Sequence, residues 1–127
     1  AMTYLEKWFD YNRRQKEIEA MLEETIAQQT EQRLTLKEFY LLYYLDLADE
    51  KSLRQIDLPD KLHLSPSAVS RMVARLEEKN CGLLSRRCCD QDRRASFICL
   101  TDEGQTTLAY LQKAVEERLE TSLDFIS

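Results

Sequence analysis

The chain has two prolines, and each stands where a helix can start. Pro59 follows Leu58 in "DLPDKL", and Pro66 follows Ser65 in "LSPSAVSRM". A fixed φ and a missing N–H suit proline to the first turn of a helix and not to its interior. Ser65 adds a hydroxyl able to accept from the backbone N–H groups one turn on, the work of an N-cap. Behind it Val69, Met72, Val73 and Leu76 fall at i, i+3, i+4 and i+7, which predicts a helix over about 66–79 with one core face. A shorter helix runs from Pro59 to about His63, so only a few residues separate the two. This is the spacing of a helix-turn-helix.

The rest of the chain favours long helices, with only two glycines in 127 residues and 43% apolar against 32% charged side chains. Between Tyr4 and Gln29, Leu5, Trp8, Phe9, Ile18, Met21, Leu22 and Ile26 mostly recur at helical spacing, which makes an amphipathic helix. "TLKE" at 35–38 is a capping box ahead of Phe39, Leu42, Tyr43 and Leu45, so a second, largely buried helix runs to about Ala48. Ser52 to Ile56 reads as a strand or extended segment. Beyond Gly82, "LLSRR" and "ASFICL" are β-prone runs around the polar "CCDQD", the pattern of a hairpin. Thr101 caps a last helix along which Leu108, Leu111, Val115, Leu119, Leu123 and Ile126 keep an apolar stripe. The length suits one mainly α domain with a small β element.

A net charge of −5 argues against a polyanion partner, because phosphate binding rests on Lys and Arg releasing condensed counterions. The distribution argues the other way. Residues 65–94 carry Arg71, Arg75, Lys79, Arg86, Arg87, Arg93 and Arg94 against Glu77, Glu78, Asp90 and Asp92, a local +3 between acidic flanks. Such an island suits a polyanion touching one face, and it equally describes a solvated helix and hairpin. With Val69, Met72, Val73 and Leu76 facing the core, the opposite face presents Ser67, Ser70, Arg71, Ala74 and Arg75. Small hydroxyls permit close approach to a groove, and arginine offers a planar fork matched to guanine.

"SLRQ…LPDKLHLSPSAVSRMVARLEEK" followed by "GLLSRR…DQDRRASFICLTDEG" resembles, in order and spacing, the MarR/SlyA family of transcription regulators. The resemblance runs from about Leu34 to Leu108. It implies a mainly α fold with a small β-wing: a winged helix-turn-helix at about 34–100, plus N- and C-terminal dimerisation helices at 4–30 and 101–127, in a single domain of residues 1–127. It implies a sequence-specific DNA-binding regulator, a repressor, acting as a homodimer on a pseudo-palindromic operator in double-stranded DNA. Ser65, Ser67, Ser70, Arg71 and Arg75 would then lie nearest the major groove. Arg94 would enter the minor groove, held by Asp92, while Arg86, Arg87 and Arg93 would bind phosphate. A narrow minor groove has the enhanced negative potential that attracts arginine. The long end helices independently suggest a dimer, two-fold symmetry being the commonest way to bury such faces, although packing on each other within one chain remains open. "EEKNCGLL" departs from the family's pattern through Asn80 and Cys81, and "QIDLPDKL" is longer than its usual run, which lengthens the turns around the helix pair.

The four cysteines, at 81, 88, 89 and 99, contain no Cys-x-x-Cys pair, and reduced thiols in a cytoplasm are expected. Arg86 and Arg87 favour a reactive thiolate at Cys81, Cys88 or Cys89, so oxidation there is one route to release of DNA. Structural or incidental thiols are the plainer reading, with Cys99 a buried strand residue. His63 is the sole histidine, and no metal or cofactor is expected. Trp8, Phe9, Tyr40 and Tyr43 are candidates to line a cleft for a small aromatic ligand, against the alternative that they are core. No phosphate-cradling glycine loop and no nucleophile with a nearby base point to an enzyme. Ala1 ahead of Met2 reads as a processing scar, and no basic-then-apolar leader is seen. The longest apolar run, "FYLLYYL" at 39–45, is far short of the ~20 residues of a membrane span, so a soluble, cytoplasmic protein is expected. The competing function is a helical interaction adaptor that keeps a winged fold without binding DNA.

Overall fold

The computed structural model describes residues 1–89 and 92–122; the side chains of Cys88, Cys89 and residues 92–95 lie outside the described set, as do Asp90, Gln91 and residues 123–127. The elements are α1 (Tyr4–Gln29), α2 (Leu36–Leu47), β1 (Ser52–Arg54), α3 (Leu58–Leu62), α4 (Pro66–Leu76), β2 (Leu84–Cys89), β3 (Asp92–Leu100) and α5 (Asp102–Ser122). Short 3₁₀ turns at Asp49–Lys51 and Gln55–Asp57 bracket β1. The chain divides into two compact units, Ala1–Leu36 with Gln112–Ser127, and Lys37–Leu111. Among the described residues, no helix is long and apolar enough to cross a membrane.

In the first unit α1 starts at the cap the sequence supplies, Thr3 Oγ1 accepting from the Glu6 N–H at 3.1 Å. Its C-terminal half holds the buried side chains Leu22 and Ile26, and Leu34, Leu36 and Val115 are buried as well. Full burial of such a side chain contributes about 1.5–3 kcal/mol. The Glu23 carboxylate accepts the Leu36 N–H at 3.0 and 3.1 Å, satisfying one of the orphan donors at the start of α2. The first half of α1 behaves otherwise, with Tyr4, Leu5, Trp8, Phe9 and Tyr11 all exposed.

The second unit is built on a core of Phe39, Leu41, Leu42 and Leu45 from α2, Leu58 and Leu62 from α3, Val69, Val73 and Leu76 from α4, and Leu84, Ile98 and Leu100 from the sheet. A five-residue helix such as α3 has too few internal bonds to persist alone. Its two buried leucines hold it, and Lys37 Nζ donates to the Leu62 carbonyl at 2.7 Å. His63 ends it in the left-handed region at φ 55°, so the helix closes one residue before its expected limit.

The sheet has the order β1-β3-β2, antiparallel throughout. Arg54 and Arg87 both pair with Phe97, while Leu53 and Arg86 both pair with Ile98. The expected strand over 52–56 is shorter, because Gln55 turns the chain into a 3₁₀ turn that delivers Leu58 to the core. At the far end Thr101 accepts the Gly104 N–H at 2.9 Å and donates to the Gly82 carbonyl at 2.7 Å, the cap expected for α5. Gly104 is required by contact, since a Cβ there would sit 2.3 Å from the Leu83 carbonyl oxygen.

Candidate nucleic-acid interface

The helix at the centre of the basic island is capped as its sequence demands, with Ser65 Oγ accepting from the Ala68 N–H at 3.1 Å and Pro66 in the first turn. Val69, Val73 and Leu76 are buried and Met72 half-buried, so the opposite face looks outward. Ser65, Ser67, Ser70, Arg71 and Ala74 are exposed there. α4 ends at Leu76 rather than near residue 79. Glu77 is extended, at ψ 161°, and its carbonyl accepts the N–H groups of Asn80, Cys81 and Gly82 at 2.9–3.0 Å. Asn80 Nδ2 donates back to the Ala74 carbonyl at 2.6 Å, and Gly82 takes φ 74°. The additional Asn80 and Cys81 thus form the turn that closes α4, overriding the helical propensity of "LEEK".

The arginines of this region fall into two kinds. Arg75, expected beside Ser70 and Arg71, is half-buried, and its Nε lies 3.4 Å from Oε2 of Glu38, a carboxylate only 4% exposed. A charge so placed needs its partner, and Arg75 supplies it. Arg75 thus partners an interior carboxylate while its side chain stays 39% exposed beside Ser70 and Arg71. The sequence offered a local role for Glu38, the last residue of the "TLKE" box, and no local sign of a partner in α4.

Arg86, an expected phosphate contact, is exposed and also engaged on two sides within the fold. Its Nε pairs with Glu77, and its Nη1 donates to Gln55 Oε1 at 3.2 Å. Gln55 in turn donates through Nε2 to Ser70 Oγ at 3.1 Å. The wing strand β2 is thereby joined to α4 through a glutamine that periodicity and motif reasoning passed over. Its two partners lie 15 and 31 residues away, a separation local patterns do not report. Among the described residues, Arg71 and Arg87 are exposed arginines, one on α4 and one on β2. The expected Asp92–Arg94 unit and Arg93 have side chains outside the described residues, as do Cys88 and Cys89. Cys81 is half-buried and Cys99 buried, both as free thiols. Trp8, Phe9 and Tyr43 are exposed rather than core.

The chemistry of this surface is that of a hydrogen-bonding, cationic face. Ser67, Ser70 and Ala74 keep the backbone of α4 accessible, and Arg71 adds a charged fork. Among the described residues no cluster of His, Cys, Asp and Glu is arranged to hold a metal ion.

Comparison with known proteins places this arrangement. Residues 34–96 match the MarR family model. The HTH-type transcriptional regulator YdgJ of Bacillus subtilis (strain 168) is 36% identical over 87 residues, 68% of this chain and 49% of its own length. The HTH-type transcriptional repressor MdtR of the same organism is 33% identical over 81 residues, 64% of this chain and 50% of its own. The chain thus spans about half the length of the curated relatives it matches. A MarR family transcriptional regulator from Streptomyces coelicolor, solved in complex with DNA, superposes with a TM-score of 0.83 at 25% identity, over 97% of this chain and 76% of that one. A family match over the helix-turn-helix and wing, two relatives above 30% identity and near-complete structural overlap agree: the chain belongs to the MarR family.

Proposed function

We propose that this protein is a sequence-specific DNA-binding transcriptional regulator, a repressor, that acts as a homodimer on a pseudo-palindromic site. The observation that carries the reading is the exposed face of α4, where Ser67, Ser70 and Arg71 stand outward on a capped helix whose other face is buried. In this reading α4 enters the major groove, with Ser65, Ser67, Ser70, Arg71 and Arg75 nearest the bases or their phosphates. Arg86, Arg87 and Arg93 contact phosphate, and Arg94, oriented by Asp92, reaches the minor groove. Residues 34–100 form the DNA-binding part of a single domain, and the end helices form the dimer. The related repressor and the relative solved with DNA support this assignment.

The reading places the protein in the cytoplasm and assigns it no enzymatic activity. Release of DNA falls to a small aromatic ligand or to oxidation of Cys81, Cys88 or Cys89. The direct test is fluorescence anisotropy on fragments of the source genome at low salt and at increasing ionic strength. Binding that weakens steeply with salt and concentrates on particular fragments is expected, because phosphate contacts release counterions. Absence of binding at the lowest salt would favour the non-DNA-binding adaptor instead.

A further inference from the structure

Gln55 sits between two groups that together dictate which way its carboxamide points. Arginine has five N–H donors and no acceptor, so the neighbouring amide must present its oxygen to Arg86. Glu77 holds the other side of that guanidinium, which keeps Arg86 in place. With Oε1 committed to Arg86 at 3.2 Å, Nε2 is left for Ser70 and reaches Oγ at 3.1 Å. A serine hydroxyl has one proton to give and two lone pairs to fill. Gln55 fills one lone pair, and among the described residues nothing takes the proton. The chain from Glu77 through Arg86 and Gln55 to Ser70 therefore has a fixed polarity, and it delivers a hydrogen-bond donor to the outer face of α4.

From this geometry we infer that Gln55 is a specificity-determining positioning residue, which holds the Ser70 hydroxyl as a donor to an acceptor on a base edge in the major groove. The inference rests on the DNA-binding reading above and adds the direction of one contact. Ser70 lies between Ser67 and Ala74 on the exposed face, and both of these flanking side chains are short. Guanine offers only acceptors, N7 and O6, along its major-groove edge, and cytosine offers the N4 donor. A donating Ser70 therefore selects guanine over cytosine at the position it reads. The relay also ties that choice to β2, since Arg86 is a wing residue.

The test is selection of binding sites from randomised duplexes with the wild type, Gln55→Glu, Ser70→Ala and the double variant. A glutamate accepts from Arg86 as glutamine does but has no N–H for Ser70, so the hydroxyl proton turns toward it and the lone pairs turn outward. Gln55→Glu should then reverse the guanine preference toward cytosine at one position per half-site, by about 3- to 10-fold, the worth of a single hydrogen bond. Ser70→Ala should flatten the preference there, and Gln55→Glu should add no change of base preference once Ser70 is gone. A shift at another position, no shift, or one that survives in the double variant would overturn the inference. Even weakening of all sites by Ser70→Ala would also overturn it and place the hydroxyl on phosphate. Should the wild type bind no duplex, the DNA reading fails, and the relay is tested in the free protein. There the Gln55 side-chain amide signals should move in the ¹H–¹⁵N spectrum of Ser70→Ala, and unchanged signals would rule the relay out.

Discussion

α4 and the first half of α1 are both amphipathic in sequence, yet they turn opposite chemistry outward. α4 buries Val69, Val73 and Leu76 and exposes serines and an arginine. α1 leaves Tyr4, Leu5, Trp8, Phe9 and Tyr11 between 57% and 88% exposed. The polar face has already been satisfied by its own fold and can meet a hydrated, charged partner at little cost. The apolar face has not, and water is a poor partner for a row of aromatic side chains. The difference fits the two tasks proposed above, nucleic acid for α4 and a second copy of the chain for α1.

The largest expected effect falls on the apolar face. Trp8→Glu combined with Phe9→Glu should weaken self-association by about 3–6 kcal/mol, the burial lost from two large side chains, and sedimentation equilibrium should show monomer at micromolar concentration. If the double variant remains a dimer while circular dichroism reports unchanged helix content, the contrast between the two faces is misread. On the polar face Arg71→Ala should cost operator binding about 1–3 kcal/mol and relax base choice at one position, with the dimer intact. An equal affinity in titrations of the selected site would remove Arg71 from the interface.

The interior pair sharpens the contrast by separating stability from binding. Glu38→Gln leaves Arg75 facing a neutral amide, and urea denaturation should show a loss of about 1–2 kcal/mol, discounted because the Arg75 side chain is 39% exposed. Operator affinity of the folded fraction should hold. The smallest effect is expected at Arg87→Ala, an even few-fold loss across sequences with the slope of log K against log salt reduced by about one. An unchanged slope would place Arg87 away from phosphate.

Much of the fold was legible because its signals are local. Ser65-Pro66 announced the start of α4, the stripe from Val69 to Leu76 announced its buried face, and Thr101 announced the cap of α5. The end of α4 was not legible, because three N–H groups converging on the Glu77 carbonyl stop a segment whose residues favour helix. The candidate site was legible in its exposed members, Ser67, Ser70 and Arg71, which follow from periodicity alone. The intramolecular partners of Arg75 and Arg86 were not legible. Their partners Glu38, Glu77 and Gln55 lie on other elements, and only the folded chain shows which cations are already engaged. Gln55 gave no signal at all. An amide at the junction of a strand and a short helix has no periodicity to betray it.

The measurement that bears most directly on the account is a hydroxyl-radical footprint of the protein on a duplex recovered by selection. Two protected patches related by a dyad, about 10–10.5 base pairs apart centre to centre, are expected, with their protection lost in Arg71→Ala. A duplex left uniformly cleaved at low salt, or protection that Arg71→Ala leaves untouched, would contradict the claim that the exposed face of α4 is what this protein presents to DNA.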